Sequence, residues 1–155
     1  MAFAGNKWEH SANLFPTMSE ETNAAPSTPG EFCWNELVSG DVEASKKFYQ
    51  ETFGWTADTV TMAPGFEYTM FKLGEKTVAG MIGIRPEMGP IQPHWVSYVN
   101  TVDLEGDTEK ARAAGGKILR EPFQVPSGGS LAIIQDPQGA VFALWKNSER
   151  HGQGC

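Results

Sequence analysis

One carboxylate in an apolar stretch has the clearest chemical potential in this chain. Glu36 lies two residues after Trp34 in the apolar segment Phe32–Val38, where alternate side chains of a strand share one face. A carboxyl group among apolar side chains has a raised pKa and can act as a general base or acid near neutral pH. Glu36 is therefore the candidate catalytic residue. The alternative is a structural carboxyl group that is hydrogen-bonded to Tyr98, Asn100 or a lysine.

A second group of side chains could bind a ligand without reacting with it. Tyr98 and Asn100 share one face of the predicted strand His94–Thr101, and each could donate a hydrogen bond or pack in a core. His94 could hydrogen-bond a ligand or a neighbouring residue. Aromatic rings can form platforms for a flat or hydrophobic ligand, or can pack in the core. The candidate ligand-binding set is Trp34, Glu36, Tyr98, Asn100, His94, Phe71 and Trp145.

These residues lie in two similar runs of predicted elements. In the first run, Asp41 can cap an amphipathic helix that ends at Gly54. In the second run, Asp103 can cap a helix that closes with Gly115-Gly116. The spacing from Asp41 to Asp103 equals the spacing from Gly54 to Gly116, which indicates an internal repeat.

The repeat predicts two βαβββ modules, over residues 31–85 and 93–147, joined by a proline-rich connection. Neither module is large enough to bury its own sheet well. We therefore expect an α+β fold in which both modules form one curved, cup-like mixed sheet with helices outside. Residues 1–30 are expected to form a disordered tail and linker, or a docking arm that uses Trp8, Leu14 and Phe15, and residues 148–155 a C-terminal tail.

Composition argues against several classes of partner. A net charge of −7 disfavours non-specific binding to nucleic acid or to anionic membranes, and no apolar run approaches membrane-spanning length. Two cysteines, Cys33 and Cys155, argue against a disulfide framework and favour a reducing cytoplasm, with Cys33 as a packing residue. The expected partner is a small molecule, and the expected assembly is a monomer or homodimer.

The element order resembles that of the vicinal oxygen chelate superfamily, also called the glyoxalase/bleomycin-resistance/dioxygenase fold. The resemblance covers about Phe32 to Trp145 and is strongest for the glyoxalase-like branch of small bacterial proteins. Its motifs are specific for the fold but say little about activity. They are Gly40–Ser45, Phe48-Tyr49, Phe53–Trp55, Ala114–Gly116 and Asp136–Ala140.

The resemblance implies a divalent metal inside the cup, bound by His, Gln or Glu from the first and last strand of each module. By register, the corresponding positions here are Trp34, Met81, Val96 and Ala143. None of these side chains ligates such a cation. We therefore expect no family metal site and no cofactor; the remaining candidate metal ligands are Glu36 and His94.

Together these features predict a small-molecule-binding protein of the glyoxalase/bleomycin-resistance type. It would hold a small hydrophobic or aromatic ligand in the cup without the metal ligands of the family. The alternative is a metal-independent isomerase or lyase that uses Glu36 as general base to move a proton beside a carbonyl. A metal-dependent glyoxalase or dioxygenase comes third, because the metal ligands are missing.

Overall fold

The computed structural model describes residues 27–126 and 128–148. These residues form two βαβββ modules, which confirms the predicted α+β fold. The first module contains β1 (Phe32–Ser39), α1 (Val42–Phe53), β2 (Thr56–Ala63), β3 (Phe66–Leu73) and β4 (Lys76–Gly83). The second contains β5 (His94–Asn100), α2 (Leu104–Ala113), β6 (Lys117–Gln124), β7 (Ser130–Gln135) and β8 (Val141–Lys146). Neither helix is long and apolar enough to cross a membrane.

All eight strands join one curved, unclosed sheet in the order β2-β3-β4-β1-β5-β8-β7-β6. The first strands of the two modules, β1 and β5, pair antiparallel at its centre. Each of them pairs parallel with the last strand of its own module, β1 with β4 and β5 with β8. The two modules therefore share one continuous set of backbone hydrogen bonds, and the four central strands lie side by side.

The helices begin where the sequence predicts them. Asp41 accepts a hydrogen bond from the Ala44 backbone at 3.0 Å, and Asp103 accepts one from Gly106 at 3.0 Å. Gly54 ends α1 with a φ of 71°, a left-handed conformation that glycine adopts without strain. The caps fix the direction in which each helix leaves the centre of the sheet.

The sheet has two apolar faces of different character. Both helices pack on one face, which we call the helix face; its buried residues are Leu37, Phe71, Ala79 and Met81 near α1, and Leu104, Ala132, Ile134 and Leu144 near α2. We call the opposite side the cup face. Its buried apolar residues are Trp34, Val38, Val96, Tyr98, Leu131, Ala143 and Trp145.

The connection between the modules covers part of the cup face. It contains a short 3-10 turn at Pro86–Met88. Met88 and Ile91 are half-buried and pack against the cup-face cluster. The connection is thus also a wall of the cup.

The described part of the chain begins with a segment that is bonded to β5. The Gly30 amide donates to the Asn100 carbonyl at 2.8 Å, and the Asn100 side-chain amide donates to the Ser27 carbonyl at 2.7 Å. Residues 1–26, with Trp8, Leu14 and Phe15, lie outside the described residues, as do residues 149–155 with Cys155. Cys33 packs against the cup-face cluster, as expected, but it is disulfide-bonded, which the cysteine count argued against.

Candidate functional site

Glu36 lies on the cup face and is only 7% exposed. The Tyr98 hydroxyl donates to Glu36 Oε1 at 2.8 Å, and Tyr68 of β3 also hydrogen-bonds this carboxyl group. Burial raises the pKa of the Glu36 carboxyl above its usual value, while the hydrogen bonds from Tyr98 and Tyr68 oppose that increase. The carboxyl group is therefore both perturbed in its pKa and held by the kind of partner that a structural role requires.

The two tyrosines act as neutral donors. Burial raises the pKa of Tyr68 and Tyr98 well above the usual tyrosine value, and the nearby Glu36 charge raises it further. Both phenols therefore keep their protons at neutral pH. Of these three groups, Glu36 is the one whose pKa burial moves towards neutral pH.

Tyr68 is a member of the site that sequence reasoning missed. The residue is half-buried, but its hydroxyl lies in the interior and accepts a hydrogen bond from Trp34 Nε1 at 3.2 Å. A Cβ added at Gly80 would lie 1.9 Å from this hydroxyl. The Tyr68 hydroxyl thus fills the space that a side chain at position 80 of β4 would occupy. A glycine inside a strand is the signal that could have indicated such a close approach.

The metal positions of the family do not fit a metal in this protein. Trp34, Val96 and Ala143 lie on the cup face as expected. The assignment of Met81 is wrong, because Met81 pairs with Leu37 on the helix face and Gly80 is the β4 residue opposite Glu36. No group of three or more His, Cys, Asp or Glu residues within the described ranges could hold a metal ion.

The structure places Phe71 and His94 outside the cup and gives the Asn100 side chain a backbone partner. Phe71 is fully buried on the helix face, 5.4 Å from the Tyr49 ring, so it does not line the cup. Asn100 uses its side-chain amide to bind the Ser27 carbonyl. His94 lies at the start of β5, with Nδ1 2.6 Å from the Gln92 carbonyl. Phe71 is therefore not a cup residue, whereas Asn100 lies beside Trp145 at one end of the cup.

His94 lines a groove of about 560 Å³ between α1 and the β1–β5 strand ends. Trp95 and Tyr49 also line the groove, and the Trp95 indole donates to the Tyr49 hydroxyl at 3.0 Å. Glu36 does not line this groove. We place the candidate site in the cup rather than in the groove, because the perturbed carboxyl group and its donors converge there.

The cup therefore combines aromatic walls with one titratable carboxyl group. Trp34 lies opposite Tyr98, next to Glu36 on the cup face, and Trp145 of β8 stacks on Tyr98 with ring centroids 6.3 Å apart. Such a surface can bind a flat apolar molecule through ring contacts and can exchange one proton with it.

Replacing Gly80 with alanine should destabilise the protein by about 1–3 kcal/mol, because the new methyl group displaces the Tyr68 hydroxyl and breaks its contact with Trp34. Chemical denaturation followed by tryptophan fluorescence measures the effect. Gly83→Ala in the same strand is the control, since its Cβ would meet only the Val42 side chain, at 3.3 Å. Equal stability of the two variants would contradict the close packing at Gly80.

Glu36→Gln should remove one component of the pH dependence of stability. Because the folded-state pKa is raised, the folded protein binds the Glu36 proton more tightly than the unfolded chain does. The stability that this proton contributes is fully present below the unfolded-state pKa of about 4.3. It is lost as the pH rises through the folded-state pKa. Each tenfold difference in proton affinity between the folded and unfolded protein contributes about 1.4 kcal/mol. The free energy of unfolding of wild type minus that of Glu36→Gln should therefore fall as pH rises above the unfolded pKa of about 4.3.

The control for this experiment is Glu67→Gln, which removes a carboxyl group from the exposed side of β3 without touching the cup. The prediction fails if the free energy of unfolding depends on pH in the same way in wild type and Glu36→Gln. The folded and unfolded proteins would then bind the Glu36 proton equally.

Comparison with known proteins gives the same fold and family. The model of the Glyoxalase/Bleomycin resistance protein/Dioxygenase superfamily matches residues 32–144. CFP32 of Mycobacterium tuberculosis is 32% identical over 139 residues, which cover 90% of this chain and 50% of that protein. The anthracycline biosynthesis protein DnrV of Streptomyces peucetius is 32% identical over 143 residues, which cover 84% of this chain and 51% of DnrV. The chain thus spans about half the length of these two relatives.

A structure of Streptomyces coelicolor methylmalonyl-CoA epimerase with 2-nitronate-propionyl-CoA superposes with a TM-score of 0.55 at 18% identity, covering 77% of this chain and 99% of the epimerase. This likeness reflects the fold. The match of the family model over residues 32–144 shows that the chain belongs to the glyoxalase/bleomycin resistance protein/dioxygenase superfamily.

Proposed function

We propose that this protein binds a small aromatic or hydrophobic molecule in its cup, without the metal of the family. The observation that carries the proposal is the cup face itself. Trp34, Tyr98 and Trp145 provide aromatic surface there, and the residues at the family's metal positions offer no metal ligand. Apolar pockets with a few convergent polar groups are the usual form of small-molecule sites.

A ligand enters this cup by displacing side chains that cover it. Met88 and Ile91 from the connection, with Phe123 and Val125, are half-buried against the cup-face cluster. A methionine side chain adapts its shape readily, so its movement costs less than the movement of a ring. An aromatic ligand then replaces these contacts with ring contacts to Trp34 or Trp145.

One relative gives this proposal a small-molecule context. DnrV is named as an anthracycline biosynthesis protein, and it is 32% identical to this chain. Since the chain spans about half of that protein, we carry over neither its ligand nor an activity. Cytoplasmic location, bacterial origin and a monomeric or homodimeric state stay predictions.

A second candidate function is proton transfer by Glu36. The raised pKa of Glu36 and its two neutral tyrosine donors favour it. In this reaction the carboxylate takes a proton from the carbon beside a carbonyl, and the electron pair of the C–H bond moves to the oxygen as an enolate forms. Glu36 then delivers the proton to a different carbon of the conjugated enolate, so the reaction is an isomerisation that needs no co-reactant.

We expect 1-indanone, a small aromatic ketone, to bind saturably in the cup. In ¹H–¹⁵N spectra the Trp34 indole signal should shift during the titration, while the Trp95 indole in the outer groove should not. The titration should give the same affinity in the presence of EDTA, because no metal takes part. A shift of Trp95 alone would place binding in the groove, and the absence of any saturable shift would refute the proposed function.

Deuterium exchange separates binding from proton transfer. The binding function predicts that 1-indanone in D₂O exchanges the protons at C2 no faster with the protein than without it. The second candidate predicts faster exchange that Glu36→Gln abolishes while binding is retained. Proton NMR of the ketone measures both rates.

A further inference from the structure

The indole N–H of Trp145 is an exception among the polar groups of the cup. Trp145 is 5% exposed, yet Nε1 has no hydrogen-bond partner within residues 27–126 and 128–148. Buried N–H groups are nearly always hydrogen-bonded, because an unpaired one has lost its bonds to water without replacement. The Trp145 N–H is thus a donor that the described part of the protein leaves unused.

Two other tryptophans have a hydrogen-bond acceptor for the indole N–H. Trp34 Nε1 donates to the Tyr68 hydroxyl at 3.2 Å, and Trp95 Nε1 donates to the Tyr49 hydroxyl at 3.0 Å. In both cases a tyrosine from a neighbouring element supplies the acceptor. No comparable acceptor from the described residues reaches Trp145.

The Trp145 ring is held in place on two sides. Its six-membered ring passes so close to Gly129 that a Cβ added there would lie 2.2 Å from it. On the other side the ring stacks on Tyr98, with an angle of 29° between the ring planes. The indole can therefore not turn freely to find another acceptor, and its orientation is set before any ligand binds.

We propose that the Trp145 N–H is the hydrogen-bond donor with which the cup recognises a neutral carbonyl oxygen on its aromatic ligand. This inference rests on the proposed function of the cup. An indole N–H can only donate, so the complementary ligand atom is an acceptor. The acceptor is neutral rather than a carboxylate, because a charged group would lose its hydration in the apolar cup and meet the Glu36 carboxyl group there.

Tyr98 links this donor to the carboxyl group. The Tyr98 ring stacks on Trp145, while its hydroxyl donates to Glu36. A ligand whose carbonyl binds Trp145 therefore lies close to the tyrosine that holds Glu36. Trp145 is therefore a ligand-binding residue that also sets which end of the ligand points towards Glu36.

The test compares 1-indanone with indane, which has the same ring system but no carbonyl. Wild type should bind the ketone on the order of tenfold more tightly than the hydrocarbon, the effect of one neutral hydrogen bond. Trp145→Phe should reduce this ratio to about one. A cavity left by the smaller ring changes both affinities, so the ratio isolates the lost N–H. Trp95→Phe, which alters the outer groove, should keep the wild-type ratio.

A spectroscopic measurement accompanies the affinities. The indole proton of Trp145, identified by its absence in Trp145→Phe, should move downfield with 1-indanone and not with indane. Equal affinities of wild type for the two probes, or an unchanged ratio in Trp145→Phe, would overturn the inference and leave the binding function intact. If neither probe binds wild type, the proposed function fails, and the inference fails with it.

Discussion

The antiparallel pairing of β1 with β5 is the interaction on which the rest of the structure depends. It sets Trp34 opposite Tyr98 and Glu36 opposite Val96, so the carboxyl group of one module reaches a tyrosine of the other. Because side chains alternate along a strand, a slip of one residue would turn Glu36 towards the helix face. The chemistry of the cup therefore exists only when both modules are joined in this register.

Each module uses a glycine to admit a large ring into the cup. Gly80 leaves room for the Tyr68 hydroxyl in the first module, and Gly129 leaves room for the Trp145 indole in the second. The two rings then differ in function. Tyr68 completes a network with Trp34 and Glu36, whereas Trp145 keeps an unused donor among the described residues. The two modules thus share one fold but differ in the hydrogen bonding of their cup residues, because a few side chains differ.

Local patterns predicted the central strands well. The alternation in β1 and β5 placed Trp34, Glu36 and Tyr98 on one face, because both strands are regular over those residues. The helix caps followed from Asp41 and Asp103, whose side chains bond the backbone only three residues away. Such short-range interactions can be predicted from the sequence alone.

The wrong predictions concern side chains whose positions depend on the register between distant strands or on segments that flank the sheet. The pairing of β3 with β4 is irregular near Phe71, and two glycines in β4 weaken its alternation, so Phe71 and Met81 were assigned to the wrong face. Tyr68 could not be predicted as a partner of Trp34, because their contact depends on how two other strands align. Asn100 is bonded to a segment that precedes the first strand.

The bond between Asn100 and Ser27 has a practical consequence for the design of fusion proteins. Asn100 lies beside Trp145 in the register of β5 with β8, so the described chain begins at the Trp145 end of the cup. A fluorescent reporter joined to Ser27 by a short linker, in place of residues 1–26, would start at that end and not at the outer groove. The emission of such a reporter could then signal events at Trp145 without any label inside the cup.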